Sequence, residues 1–168
     1  MKIKVLILYV VLLLPSCSNS VFKDPYLDPG LMYVYTDWKD ECKQRKIRPI
    51  QNTHDIDSIV FGLLEEGYWG SCFGDKIVIN QLAVAPTDTF LLKLIMYHEL
   101  GHCAFGYKHF DHELDIMNTV LPESKIIAYK WFWDIIKEEY FSRYQLPKTR
   151  KKLKEGSSYG EVCIQSET

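Results

Sequence analysis

The residues of this chain best suited to chemistry lie in the segment His98-Glu99-Leu100-Gly101-His102. On a helix, His98 and His102 project from the same face, where two imidazoles can bind one metal ion. Glu99 stands beside the first histidine, where a carboxylate can polarise a water molecule without being a ligand. A catalytic zinc ion needs three protein ligands and one open position, and His109 is the nearest candidate for the third. The spacing therefore predicts one catalytic zinc ion and the hydrolysis of peptide bonds.

A helix must position these side chains, and the flanking sequence favours one. The run from Thr89 to Tyr97 is rich in helix formers and contains no glycine or proline. Thr87 or Asp88 supplies an N-cap, and Gly106 marks the point where the helix ends and the chain turns. We expect one buried stripe on this helix, formed by Phe90, Leu91, Leu94 and Ile95. The turn after Gly106 is what would bring His109 back to the metal.

These residues resemble the metzincin clan of zinc peptidases. In that clan a HExxHxxGxxH segment is followed by a tight turn with a methionine beneath the metal. The matching elements, over about twenty residues, are His98, Glu99, His102, Gly106, His109 and, within Asp115-Ile116-Met117-Asn118, Met117. The resemblance implies a small α+β, zincin-like domain, in which a short twisted sheet packs on the active-site helix. A C-terminal helix would follow the Met-turn, and Met117 would pack under the site without ligating the metal.

One departure concerns the third ligand. Three residues separate His102 from Gly106 where the clan has two, so the chain reads HExxHxxxGxxH. This lengthened form, with Cys103 directly after the second histidine, is similar to small bacterial lipoproteins of metallopeptidase type. We favour His109 as the third ligand, with His112 and, less so, Asp111 as alternatives.

Two other functions are compatible with the motif. In a different zincin architecture, a downstream acid such as Glu123 or Glu138 would complete the site. In a non-catalytic envelope lipoprotein, a fourth protein ligand would close a structural zinc site, and His112 is the candidate. The close His109 and the Met-turn spacing favour the peptidase.

The N-terminus has the pattern of an export signal. Met1-Lys2-Ile3-Lys4 is followed by ten apolar residues from Val5 to Leu14, a run too short to span a bilayer comfortably. The tetrapeptide Leu14-Pro15-Ser16-Cys17 resembles the lipobox of bacterial lipoproteins. The resemblance implies cleavage before Cys17 and lipid attachment to it, with a plain signal peptide or an uncleaved anchor as the alternative. We therefore expect a lipid-anchored protein of the bacterial cell envelope, with the outer membrane favoured because Ser18, not aspartate, follows the cysteine.

The charge balance gives no indication of nucleic-acid binding. The chain has 20 basic and 22 acidic residues, and loss of Lys2 and Lys4 leaves 18 against 22, a net charge of −4. The expected partners are a peptide or protein substrate and the membrane that holds the lipid, and the oligomeric state is open.

Four further cysteines in an exported chain suggest disulfides. Cys103 should face the packing side of the helix that carries the histidine motif, where we expect it to meet Cys72 on the preceding loop. Cys42 and Cys163 would then form the second pair. A cysteine zinc site is a weak alternative, because the chain has no CxxC pair.

We expect a signal peptide at residues 1–16, a tether at 17–30, a metallopeptidase domain at 31–147 and a basic, polar tail at 148–168. Helices are predicted at 31–46 and 124–144, strands at 57–61 and 76–80, and a glycine-rich loop at 65–75. By the resemblance, an extended substrate would pair with the last strand before the helix of the histidine motif, or with the loop that adjoins this strand. The residues of the strand are Lys76, Ile77, Val78, Ile79 and Asn80. The side of the last helix marked by Ile127, Trp131, Ile135 and Tyr140 is expected to pack into the core.

Overall fold

A computed structural model describes residues 24–47, 56–82, 88–110, 112–121 and 123–145. The predictions for the signal peptide, Cys17, Thr87, Asp111, the basic tail and Cys163 fall outside these residues. Within them the fold is α+β, as expected.

In the part of the chain that the structure describes, four strands form one open sheet in the order β1-β2-β4-β3. Their bounds are Tyr26–Leu27 for β1, Ser58–Gly62 for β2, Gly70–Phe73 for β3 and Lys76–Asn80 for β4. Strand β2 runs parallel to both β1 and β4, whereas β3 forms an antiparallel hairpin with β4. The two-residue turn of this hairpin contains Gly74, whose φ of +69° suits glycine.

The described ranges also contain four α-helices and two short 3-10 segments. The α-helices are Met32–Gln44 for α1, Thr89–Phe105 for α2, Ile126–Trp131 for α3 and Trp133–Gln145 for α4. The 3-10 segments, Pro29–Leu31 and Glu123–Lys125, lead into α1 and α3. Helix α2 is the centre of the fold because it packs on β3 and β4 on one side and on α1 on the other. Its apolar residues are buried nearly all round, which is the pattern of a core helix.

Apart from the last helix, which is described below, the helix and strand predictions agree with this architecture to within a few residues, with two exceptions. The predicted loop at 65–75 contains a strand, β3, because four residues of it pair with β4. The predicted tether at 17–30 ends too late, because Tyr26 and Leu27 form β1 beside β2. Both errors have one cause, since pairing with a distant strand can order a short segment of weak local propensity.

Residues 76–80, one of the two segments expected to pair with an extended substrate, do not form an edge of the sheet. Strand β4 pairs with β2 on one side and with β3 on the other, so its backbone groups are used within the sheet. The burial of Ile77, Val78 and Ile79 fits this central place. The edge strand next to α2 is β3, which lies in the loop predicted at residues 65–75, before the predicted strand at 76–80.

The last predicted helix is broken, and its apolar residues divide between two sides. The break falls at Phe132, whose ψ of 14° departs from helical geometry. Tyr140 is buried as expected, but Ile127, Trp131 and Ile135 are exposed, which contradicts their expected place in the core. Tyr129, Ile136, Tyr140 and Tyr144 form the buried side instead. None of the helices in the described ranges is long and apolar enough to cross a membrane.

A disulfide joins β3 to α2 through Cys72 and Cys103, the pair expected from the sequence. Cys42 is buried and has no disulfide partner among the described residues, and burial raises its pKa to about 12. Its expected partner, Cys163, lies outside the described residues. The disulfide fixes the edge strand against the helix that carries the metal-binding motif.

Candidate metal centre

Helix α2 has well-defined ends. The Oδ1 atom of Asp88 accepts a hydrogen bond from the backbone N–H of Leu91 at 2.9 Å, so Asp88 is the N-cap. At the other end Gly106 has a φ of +66°, the left-handed conformation that glycine adopts without strain. Its N–H donates to the His102 carbonyl, and the N–H of Tyr107 donates to the Gly101 carbonyl, both at 2.9 Å. The chain therefore turns back immediately after the helix.

The extra residue between His102 and Gly106 is accommodated in the helix. All three intervening residues are helical, since α2 continues through Phe105. The carbonyl oxygen of Tyr107, just beyond the turn, then lies 2.7 Å from Nδ1 of His102. The lengthened spacing thus still returns the chain to the second histidine.

Three histidine nitrogens converge on one point. The Nε2 atom of His102 lies 3.0 Å from Nε2 of His98 and 3.1 Å from Nε2 of His109, and the third side of the triangle is 3.3 Å. His98 is fully buried and the other two are partly buried. The structure therefore places His109, with the two helix histidines, in a group able to hold a metal ion.

The other ring nitrogens determine the tautomers of two of these histidines. Nδ1 of His98 lies 2.6 Å from the Ile116 carbonyl oxygen, and Nδ1 of His102 lies 2.7 Å from that of Tyr107. A carbonyl can only accept, so both Nδ1 atoms must carry the proton and donate. Each Nε2 then presents a lone pair toward the centre of the triangle. Lone pairs this close repel one another, and a cation bound by all of them removes that repulsion.

The donor set fits a tetrahedral metal ion. Nitrogen ligands at about 2.0–2.1 Å from a tetrahedral ion lie about 3.3 Å from one another, close to the separations in the triangle. Burial, followed by the charges of His102 and His109, lowers the pKa of His98 well below its ordinary value. Burial and His109 lower the pKa of His102 to about 4. Both rings are therefore neutral at neutral pH, as metal ligation requires.

Glu99 is fully buried between α2 and the edge strand. A Cβ atom on Gly70 of β3 would lie only 2.7 Å from Oε1 of Glu99 and 2.8 Å from Cγ2 of Ile95. The carboxylate is therefore held against the backbone of β3, one residue from the first histidine and three from the second. Only glycine at position 70 leaves this space open.

A tight turn after His109 packs against the site. Asp115 is 3% exposed, and its Oδ1 accepts a hydrogen bond from the N–H of Met117 at 2.7 Å. Arg143 of α4 binds both carboxylate oxygens of Asp115. This conformation of the turn places the carbonyl oxygen of Ile116 next to the ring of His98. Arg143 therefore helps to position the first histidine without contacting it.

Met117 lies under the helix, against Gly101. It is fully buried, and a Cβ atom on Gly101 would lie 2.4 Å from its sulfur. Its carbonyl accepts a hydrogen bond from the N–H of Phe110 at 2.8 Å, which ties the His109 segment to the turn. Met117 thus packs between the helix and the turn.

The alternative ligands are placed elsewhere or lie beyond the described residues. His112 is exposed and is not in the group. Glu138 is largely exposed and pairs with Arg45 at 2.8 Å. The side chains of Asp111 and Glu123 are outside the described part of the structure. Within the described residues, the group has three members.

Several residues that shape the site were not found from the sequence. The carbonyls of Tyr107 and Ile116 act through the backbone, and backbone acceptors have no residue-type signal. Gly70 and Arg143 are distant in the chain, and only folding brings them to Glu99 and Asp115. Asp115 could have been noticed, since an aspartate two residues before Met117 is placed to accept from its N–H.

Comparison with protein-family models, with curated proteins and with solved structures finds no match to this chain. What the site can do is therefore indicated by its own geometry.

Proposed function

We propose that this chain is a zinc-dependent endopeptidase, anchored by lipid on Cys17 in a bacterial cell envelope, with the outer membrane favoured. The observation that carries the catalytic part is the convergence of three imidazole nitrogens, 3.0–3.3 Å apart, beside the helix that also buries Glu99. The lipobox-like segment before Cys17 supports the anchoring.

Zinc is the metal we assign to the site. Three imidazoles also suit copper, iron and nickel, but a tetrahedral arrangement with three protein ligands and one open position is typical of catalytic zinc. His98, His102 and His109 would hold the ion. When bound there, it supplies Lewis acidity to a water molecule and to the scissile carbonyl.

Glu99 is the general base in this proposal. Its carboxylate accepts a proton from the attacking water and returns it to the leaving nitrogen as the peptide bond breaks. The Ile116 and Tyr107 carbonyls hold two of the imidazoles as the tautomers that leave Nε2 unprotonated. The β3 backbone beside Gly70 keeps the carboxylate in place.

Strand β3 is the proposed binding edge for the substrate. In the described part of the sheet it has a neighbour on one side only, and it passes directly beside Glu99. An extended peptide that added to this edge would form backbone hydrogen bonds next to the general base. The Cys72–Cys103 disulfide would keep the edge at a constant distance from the metal ligands.

The test is replacement of Glu99 with glutamine, with Glu66→Gln as the matched control. Both variants lose one carboxylate, but Glu66 is exposed on the loop before β3. We expect Glu99→Gln to reduce cleavage of an unfolded protein substrate by about 10²–10⁴-fold, the usual contribution of a general base. Bound zinc should stay near one ion per chain in both variants. Full activity in Glu99→Gln, or no cleavage of a broad peptide library by the unchanged protein, contradicts the proposal.

Single replacements of His109 and His112 by alanine test the ligand assignment. We expect loss of bound zinc from His109→Ala and full zinc content in His112→Ala, because only His109 lies in the group. The reverse result would show that the third ligand is assigned wrongly. Loss of metal in both would indicate a closed, four-ligand site of the structural kind.

A further inference from the structure

Phe110 directly follows the third histidine of the metal group, and its side chain is 49% exposed. The chain from Gly106 to Phe110 forms neither helix nor strand. Burial in the core therefore does not account for a large aromatic side chain at this position. Its contacts with the turn and with α4 indicate a different role.

The third histidine differs from the other two in how its position is set. His98 and His102 lie on α2, whose backbone hydrogen bonds fix their direction, and each ring also binds a carbonyl. His109 lies in the irregular segment after the helix, so helical geometry does not place it. The backbone on either side of His109 therefore sets its position.

Tyr107 fixes the segment on the N-terminal side of His109. Its N–H donates to the Gly101 carbonyl at 2.9 Å, and its own carbonyl accepts from Nδ1 of His102 at 2.7 Å. Its hydroxyl donates to the Tyr140 carbonyl at 3.1 Å. The chain is thus tied to α2 and α4 two residues before the third ligand.

The backbone of Phe110 fixes the segment on the other side. Its N–H donates to the Met117 carbonyl at 2.8 Å, and its carbonyl accepts from the N–H of His112 at 2.9 Å. The Asn118 side-chain amide donates to the His112 carbonyl at 2.8 Å. Phe110 is therefore joined to the turn that packs against the site.

The ring of Phe110 stacks on the guanidinium group of Arg143. The Cζ atom of Arg143 lies 4.3 Å from the ring centroid, well within the range of a cation–π interaction. The same guanidinium binds both carboxylate oxygens of Asp115, and its side chain is only 12% exposed. A ring on one face attracts the cation and keeps water from that face. The stack thus reinforces the ion pair.

This ion pair also supports the first ligand. The turn that Asp115 holds places the carbonyl oxygen of Ile116 2.6 Å from Nδ1 of His98. Phe110 is therefore connected to both ends of the metal group. Its ring contacts the ion pair behind His98, and its backbone adjoins His109.

We propose that Phe110 is a positioning residue, which holds His109 at the metal by stacking its ring on Arg143. Without the stack, the segment that carries His109 loses this attachment to α4. The ligand outside the helix then leaves the ion most readily, so zinc dissociates faster. The proposal rests on the metal site proposed above, but not on peptidase activity.

Two substitutions of Phe110 separate the aromatic ring from apolar bulk. Phe110→Leu should weaken zinc binding about tenfold, the lower end of the range for residues that orient a ligand, mainly through faster dissociation. Phe110→Tyr keeps the ring and should stay within about twofold of the unsubstituted protein. The matched control is Phe132→Leu, because Phe132 is 50% exposed and belongs to neither the turn nor the metal group. Competition with a chromophoric chelator measures affinity and dissociation, and equal values in Phe110→Leu and the control overturn the proposal.

Co²⁺ in place of zinc reports the geometry of the site, because its visible absorption depends on coordination. We expect a changed spectrum in Phe110→Leu, where His109 is detached in part of the molecules, and an unchanged spectrum in Phe110→Tyr. A ring that only stabilised the fold would lower the free energy of unfolding without altering the spectrum. That result contradicts the positioning role.

A combined background tests whether the ring acts through Arg143. Arg143→Gln and Asp115→Asn are made together, so that neither charge is left buried and unpaired. In this background Phe110→Leu should change zinc affinity by less than about twofold, because its partner is already absent. An effect as large as in the unsubstituted protein shows that the ring acts by another route and overturns the proposal.

These measurements need no substrate, so they separate this proposal from the peptidase. A protein that binds zinc but cleaves no peptide contradicts the proposed activity alone. Zinc binding that is the same with and without the Phe110 ring overturns the positioning role alone. If the unsubstituted protein binds neither zinc nor Co²⁺, the metal site and the role of Phe110 are both wrong.

Discussion

Replacing Gly101 with alanine should destabilise the protein, although the same change usually stabilises a helix. Gly101 lies within α2, between the two histidines of the motif. In a helix interior alanine is favoured over glycine by about 1 kcal/mol. Here the added Cβ atom would lie 2.4 Å from the sulfur of Met117 and 3.2 Å from Cε2 of Tyr140. Steric overlap therefore opposes the gain in helix propensity.

The size of the effect follows from the packing around Met117. Both Met117 and Tyr140 are almost completely buried, so neither can move aside into solvent. Overpacking of a well-packed core costs about 1–3 kcal/mol, and a contact this short belongs in the upper half of that range. After the gain in propensity is subtracted, we expect a net loss of about 1–2 kcal/mol in the free energy of unfolding. The melting temperature should fall by about 3–8 °C for a domain of this size.

Urea unfolding of the metal-free protein, followed by the fluorescence of its buried tryptophans, measures this change. Ala104→Gly in the same helix is the control, because it reverses the propensity change without creating a clash. Met117→Ala provides the second background, since it removes the overlapping sulfur. In that background Gly101→Ala should be neutral or stabilising by up to about 1 kcal/mol.

Two results would refute this reasoning. If Gly101→Ala alone raises the free energy of unfolding, the turn moves away at little cost and Met117 does not limit position 101. If the alanine costs as much with Met117 removed as with it present, the destabilisation has a different origin.

Three further predictions follow from the site. Gly70→Ala should lower kcat at least tenfold while zinc affinity stays unchanged, because its methyl group displaces the general base but no ligand; equal loss of metal would count against this. Asp115→Asn should weaken zinc binding by about 10–100-fold, as loss of a residue that orients a ligand does, and Arg143→Lys should weaken it less; unchanged zinc titrations would contradict the positioning role. Double replacement of Cys72 and Cys103 by serine should lower the free energy of unfolding by about 3–4 kcal/mol, from the 31-residue separation that the disulfide closes. Urea unfolding checks this value, and a loss below about 1 kcal/mol would show that the crosslink restricts the unfolded chain little.

Local sequence patterns were sufficient for the metal-binding helix. A four-residue step always places two side chains on one helix face, so the spacing of His98 and His102 predicted their common direction before any fold was known. The N-cap at Asp88 and the left-handed turn at Gly106 were also predictable, because each depends on residue type and immediate neighbours. The central strand at residues 76–80 was located for the same reason, as an apolar run with strand propensity.

The tertiary structure decided the features that depend on distant partners. Strand β3 forms only because β4 lies beside it, so its place at the sheet edge had no local signal. The same applies to Arg143, which reaches Asp115 only after α4 has packed. The side of α3 and α4 that would be buried was also ambiguous, because apolar residues occur on two sides. Only packing selected Tyr129 and Ile136 over their neighbours Ile127 and Ile135.

Residue types and spacing therefore indicated the candidate residues, which are two histidines and a carboxylate on one helix, followed by a third histidine and a methionine at suitable distances along the chain. The folded chain was needed to show that His109 rather than His112 completes the group, and that Glu99 lies against the β3 edge. This division reflects the range of the forces involved. Helical periodicity, capping and glycine turns act over a few residues, whereas the ligand triangle depends on carbonyls, a buried ion pair and a disulfide contributed by parts of the chain that meet only in the folded state.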